Sequence, residues 1–151
     1  MDTTVAPATS EEHLDFIANH FEETIALWEE YQVTPKSVQK RKDQIKKWAA
    51  EENVHLTVAS GRQAGVVGFN SLFVSKDYSG IAYGKIVILY VVPEHRGKGI
   101  AAKLKQEGES WLRSQGVKKV ITEIDAKNER MLDINKKAGF RIKSHTFERD
   151  I

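Results

Sequence analysis

Apolar residues recur at three- and four-residue steps through the first fifty positions, and the rhythm changes at Val54. Leu14, Ile17, Ala18, Phe21, Ile25 and Trp28 form one stripe, which predicts an amphipathic helix. Thr9 with Glu12 three positions later has the spacing of a capping box at its start. Thr34-Pro35 is an N-cap followed by proline in the first turn, and predicts a second helix with a thinner stripe of Val38, Ile45, Trp48 and Ala49. From Val54 to Ala59 the chain is β-rich, and residues 61–65 read as a turn. A second strand, 66–74, carries Gly68 and Asn70, which permit a bend. A third runs from Ile81 to Val92 and ends in seven consecutive apolar or aromatic residues, Ile86 to Val92, as a strand covered on both faces would. Pro93 stops it. A helix over 99–114, a strand over 119–124, a helix over 128–138 and a last strand from Phe140 complete the pattern. The order predicts a mixed α/β domain with antiparallel sheet edges and a central βαβ unit.

Composition narrows the class without naming a chemistry. The 151 residues suit one domain, and scaling relations predict about 7,800 Å² of folded surface. No apolar run approaches the ~20 residues of a membrane span. Met1-Asp2-Thr3-Thr4 lacks the basic start and apolar stretch of a secretory signal. The absence of cysteine excludes disulfides, thiolate metal sites and cysteine nucleophiles, and accords with a cytoplasmic location. A net charge of +2 is too small to imply nucleic-acid binding.

The charge is nevertheless uneven. Residues 1–33 carry eight acids (Asp2, Glu11, Glu12, Asp15, Glu22, Glu23, Glu29 and Glu30) and no Lys or Arg. Residues 36–47 carry Lys36, Lys40, Arg41, Lys42, Lys46 and Lys47 against Asp43 alone. Two helix faces that attract one another would account for this. An acidic lip that draws in a cationic substrate would too, and the basic helix is also a conceivable nucleic-acid contact.

The chemistry concentrates where the buried strand meets the third helix, Leu89-Tyr90-Val91-Val92-Pro93-Glu94-His95-Arg96-Gly97-Lys98-Gly99-Ile100-Ala101. A glycine-rich loop opening into a helix offers free N–H groups and the positive end of the helix dipole, an anion cradle for phosphate or pyrophosphate. Arg96 and Lys98 add formal charge, and His95 is expected to face solvent. A Walker loop fails because Gly99 is followed by Ile100. A dinucleotide fingerprint fits only partly, with Ala102 in the third glycine position and the unit past the chain's midpoint.

Arg96-Gly97-Lys98-Gly99-Ile100-Ala101 resembles the R/Q-x-x-G-x-G/A signature of the GNAT superfamily of acyl-CoA-dependent N-acetyltransferases. Leu89-Tyr90-Val91-Val92-Pro93 resembles that family's preceding strand, and Asn128 through Gly139-Phe140 its Asn-led helix ending in Gly-Phe. The resemblance is specific from about Ile86 to Arg141, and Val5 to Thr9 is similar to the family's short first strand. It implies a mostly antiparallel central sheet flanked by helices, with a splayed central strand pair, over one domain, residues 1–151. It implies that backbone N–H groups of Arg96, Gly97, Lys98, Gly99, Ile100 and Ala101 hold the pyrophosphate of coenzyme A. Leu89, Tyr90 and Val91 would line the pantetheine arm, with Val91 pairing to it and the Leu89 N–H aimed at the thioester carbonyl. Asn128 would contact the pantetheine, or simply cap its helix.

The activity implied is transfer of an acetyl group from acetyl-CoA to a primary amine, without a metal. An alkylamine is protonated at neutral pH, so a base must take its proton. Relatives place a glutamate where this chain has Lys85, which makes Glu123 the candidate base, relaying through water. The family's proton-donating tyrosine is replaced by Asn135, which can hydrogen-bond the sulfur but not protonate it. Tyr83 and Tyr90 are alternative donors, with core packing as their simpler role. The acceptors in view are a cationic small molecule (polyamine, aminoglycoside or amino compound) and, as the alternative, a peptide or protein amine. A non-catalytic coenzyme A-binding module is a separate alternative. The resemblance allows a homodimer and calls for no nucleic-acid or membrane partner.

Overall fold

The computed structural model describes residues 2–151. Five strands form one sheet in chain order: β1 (Thr3–Pro7), β2 (Val54–Gly61), β3 (Gly65–Lys76), β4 (Ala82–Val91) and β5 (Val120–Thr122). The first four pair antiparallel, and β4 pairs parallel with β5. Helices α1 (Glu11–Trp28) and α2 (Pro35–Ala49) follow β1, α3 (Ile100–Ser114) crosses from β4 to β5, and α4 (Glu129–Lys137) follows β5. The mixed, mostly antiparallel sheet flanked by helices is as the resemblance implies. The βαβ unit of β4, α3 and β5, however, lies at the edge of the sheet rather than at its centre, because no further strand adds beyond β5 among the described residues.

Alternation along the strands sends side chains to two faces. Leu56, Val58 and Phe69 pack under Leu14, Ile17 and Phe21 of α1 and Ile45 of α2. Ala59, Val67 and Val91 pack with Ile100 and Leu104 of α3, and Leu72 and Ile86 with Leu112. Both faces of β4 are covered, which explains its near-continuous apolar run. Gly84 lets α3 lie close, since a Cβ there would stand 2.6 Å from a Leu112 methyl.

Caps set most helix boundaries. Thr34 Oγ1 accepts from the Ser37 N–H at 3.0 Å, with Pro35 at the first position, as predicted. Helix α1 departs from prediction. Ser10, not Thr9, is its N-cap, and the reciprocal partner is the His13 ring, whose Nδ1 accepts from the Thr9 and Ser10 N–H groups. The strand predicted from Phe140 does not form, and residues 138–151 carry no regular secondary structure. The alternation stops after Phe140 and Ile142, too short a run to bury much, and Ile142, Phe147 and Ile151 remain exposed. With that segment spread out, the surface reaches 10373 Å², well above the compact expectation of about 7,800 Å².

Candidate functional site

The sheet opens where β4 runs past β5. Their ladder covers only Gly84 to Ile86, against Val120 to Thr122. Ser71 pairs with Ile88 and Leu72 with Ile86, so Val87 is an extra residue, a bulge. The Ser71 hydroxyl secures it, donating to the Ile88 carbonyl at 3.0 Å and accepting from its N–H at 2.9 Å. One extra residue inverts which amides face which neighbour. The Gly84 N–H donates toward the β5 side, to Lys119 O, whereas Ile88 and Val92 donate to β3, at Ser71 and Val67. By alternation the N–H groups of Leu89 and Val91 face the open edge. The splayed pair thus has a local cause, and it presents the two amides that the resemblance singles out.

At the end of β4 the chain makes a 3₁₀ turn, Pro93–His95, and enters the loop. The Arg96 N–H donates back to Pro93 O at 3.3 Å, so it belongs to this turn rather than to a cradle. The N–H groups from Gly97 to Ala102 find no acceptor among the described residues; the next, Lys103, begins the helical ladder at Gly99 O. Gly97 (φ 76) and Gly99 (φ 81) are both left-handed, a region other residues avoid, and nothing lies within 4 Å of where a Cβ would sit on either. Gly99 is the N-cap of α3 and brings no side-chain acceptor to its orphan donors. These free main-chain donors are flanked by exposed Arg96 and Lys98, an arrangement that could hold an anion. The Arg96 Nε donates to Val91 O at 2.8 Å, tying the loop to the strand's open edge. His95 is half-buried rather than solvent-facing, and its Nδ1 is buried without a partner.

On the helical side, Tyr90 turns its ring toward α1. The His20 ring stacks on it at 4.5 Å and 17°, and His20 Nδ1 lies 2.9 Å from Glu23 Oε2. The Arg96 guanidinium stands 5.7 Å from the Tyr90 ring centre. Burial, and next the Glu23 charge, raise the Tyr90 hydroxyl above its ordinary pKa. The His20–Glu23 pair escaped the sequence reading. Its only sequence signal is the three-residue spacing that places two side chains on one helix face.

The remaining candidates occupy α4 and its approach. Asn128 is the N-cap of α4, its Oδ1 accepting from the Met131 N–H at 3.3 Å. Asn135 is 7% exposed, and its Oδ1 accepts from Lys105 Nζ at 3.3 Å. An ammonium only donates, so the Asn135 amide nitrogen is left as the free donor. Burial holds the Lys105 pKa below the ordinary lysine value, against a smaller opposing pull from Glu109. Helix α3 joins the two halves of the site: Leu104 packs with Val91 and Leu89, and Lys105 reaches α4. Glu123 stands apart, 78% exposed, its carboxylate held by Lys85 Nζ at 3.0 Å.

Three of the eight acids in the acidic stretch are engaged by the neighbouring helix. Lys42 bridges Glu11 and Asp15 at 2.8 and 2.7 Å, Lys46 reaches Glu11, and Arg41 binds the fully buried Glu22 at 3.1 Å. Attraction between two helices thus accounts for these charges.

Comparison with known proteins agrees with the geometry. The model of the acetyltransferase (GNAT) family matches residues 17–140. A mycothiol acetyltransferase of Propionibacterium freudenreichii subsp. shermanii is 32% identical over 89 residues, 59% of this chain and 28% of that protein. N-alpha-acetyltransferase 30 of Schizosaccharomyces pombe is 33% identical over 57 residues, 38% of each chain. The chain therefore spans well under half the length of these curated relatives. An aminoglycoside acetyltransferase from an uncultured soil metagenomic sample, solved with sisomicin, superposes with a TM-score of 0.72 at 17% identity. That match covers 99% of this chain and 96% of the other, and at such identity speaks for the fold alone.

Proposed function

The chain belongs to the GNAT family of acetyltransferases, and from that premise we propose that residues 1–151 form one domain that moves an acetyl group from acetyl-CoA to a primary amine. The observation that carries this is the continuity of the open edge of β4, with the Leu89 and Val91 amides, and the six free amides from Gly97 to Ala102. A cradle this open fits a pyrophosphate, and the exposed strand edge fits an extended amide-bearing arm. Residues 97–102 would hold the pyrophosphate, and Val91 would pair with the pantetheine. Acetyl-CoA, when bound, supplies an acyl group already activated as a thioester.

The chain's own groups account for the rest. The Leu89 N–H would donate to the carbonyl oxygen where negative charge develops, and one such donor is worth roughly 10²–10³ in rate. The free Asn135 amide donor can stabilise a departing thiolate, and Lys105 fixes that orientation. A thiol's ordinary pKa near ~8.5 makes direct protonation dispensable.

The acceptor we favour is a small amine. The mycothiol acetyltransferase among the similar proteins supports that class. A peptide amine is the second reading, supported by the N-alpha-acetyltransferase relative. The acidic helix no longer argues for a cationic acceptor, because α2 engages Glu11, Asp15 and Glu22.

Gly99→Glu tests the cradle. It places a side chain and a negative charge among the free amides, where space is open, and backbone strain alone costs about 1–2 kcal/mol. Acetyl-CoA binding by calorimetry should be lost while the circular dichroism spectrum persists. Unchanged affinity would refute the cradle.

A further inference from the structure

A titratable pair on the α1 face of β4 is formed for proton transfer. His20 Nδ1 lies 2.9 Å from Glu23 Oε2. A carboxylate accepts, so Nδ1 is the N–H donor and Nε2 carries the ring's lone pair. Nε2 has no hydrogen-bond partner among the described residues. The ring is held in place by Tyr90 at 4.5 Å and Phe16 at 4.4 Å, and remains 21% exposed. Tyr90 directly follows Leu89, whose N–H faces the opposite, open edge of the same strand. An imidazole oriented by a carboxylate, with its lone pair free beside the reacting strand, has the form of a general base.

We propose that His20, oriented by Glu23, takes the proton from the acceptor amine in the acetyl transfer. This rests on the acetyltransferase reading and deepens it. The protonated amine gives one proton to His20 Nε2, directly or through one water, and His20 passes it to solvent. The neutral nitrogen forms a bond to the acyl carbon, the carbon–sulfur bond breaks, and the second amine proton goes to the leaving sulfur. The products are the amide, the free thiol and one released proton. Glu123, the base suggested by sequence, is largely exposed and held by Lys85, in the part of β4 that is paired with β5 rather than along its open length. The charged and titratable groups in contact with His20 are Glu23 from its own helix and Tyr90 from β4, and Arg96 and Glu94 of the following loop act on Tyr90 in turn.

The test is kcat/KM for amine-dependent thiol release from acetyl-CoA between pH 5.5 and about 9.5, for the wild-type, His20→Gln and Glu23→Gln proteins, with acetyl-CoA affinity measured in parallel. At pH 7 His20→Gln should lose about 10²–10⁴-fold in kcat/KM, the contribution of a positioned base, at unchanged acetyl-CoA affinity. The deficit should shrink as rising pH deprotonates the amine without help. Glu23→Gln, at a more exposed position, should fall between the two and shift the rising limb, which packing of the imidazole alone would not do. An active wild type matched by His20→Gln across pH overturns the assignment alone. A wild type that binds acetyl-CoA but releases no thiol with any amine overturns the reading beneath it.

Discussion

Glu22 has no exposed surface, yet it carries a carboxylate between two helices. Burial by itself would raise its pKa; hydrogen bonds from Ser37, Tyr31 and Arg41 outweigh burial and hold it below the ordinary value. The Tyr31 hydroxyl donates at 2.8 Å and Arg41 Nε at 3.1 Å. Arg41→Met should cost about 3–5 kcal/mol in urea unfolding, because it leaves a buried charge without its partner. The pH dependence has a definite sign. A carboxyl whose folded pKa is depressed stabilises the fold above its unfolded value near ~4.3, and that contribution is lost as pH falls through the folded value. Glu22→Gln should therefore flatten the acid limb of a melting-temperature profile. None of this is visible in the sequence, where Glu22 is one of eight acids in a stretch without a cation. The glycines were legible, because two of them beside a helix start demand an unusual backbone whatever surrounds them.

Elements were legible where the signal is local. Thr34-Pro35, Gly99 and Asn128 each mark a helix start to the residue. The start of α1 was misplaced by one position because a histidine, rather than a glutamate, closes its capping box. Contacts between elements were legible only in the opposite charges of the first two helices. The Lys105–Asn135 hydrogen bond joins α3 to α4 across thirty residues, and no spacing rule points to it. Lys105→Met keeps the apolar stem and removes a charge that burial disfavours, so the melting temperature should hold or rise. kcat should still fall, on the order of tenfold, as the Asn135 amide loses its orientation; one charged hydrogen bond is worth ~1.5–3 kcal/mol. Equal kcat would detach this pair from the reaction. Lys42, whose pKa is raised by its bonds to Asp15 and Glu11, joins α1 to α2 at the surface. Lys42→Ala should lower the melting temperature slightly in dilute buffer and by less in 1 M salt, since exposed pairs are screened.

At the scale of the molecule, the proposed function follows from a mismatch between two strands. β4 continues past the three-residue ladder of β5, and the Val87 bulge turns the amides of that free length outward. The sequence showed a buried strand, a glycine loop and a helix in the right order, and hence the family. It could not show the bulge, whose cause is Ser71 on a neighbouring strand, nor the meeting of His20 with Tyr90, seventy residues apart. No helix among the described residues is long and apolar enough to cross a membrane. The central claim is that this open edge carries acetyl transfer to a primary amine. Thiol release from acetyl-CoA, followed with a thiol-reactive dye across polyamines, aminoglycosides, amino acids and short peptides, tests it most directly, because a chain without cysteine contributes no background. Release above the hydrolysis blank with at least one amine class is the predicted result. A flat response across the panel, in protein shown to bind acetyl-CoA, would contradict it.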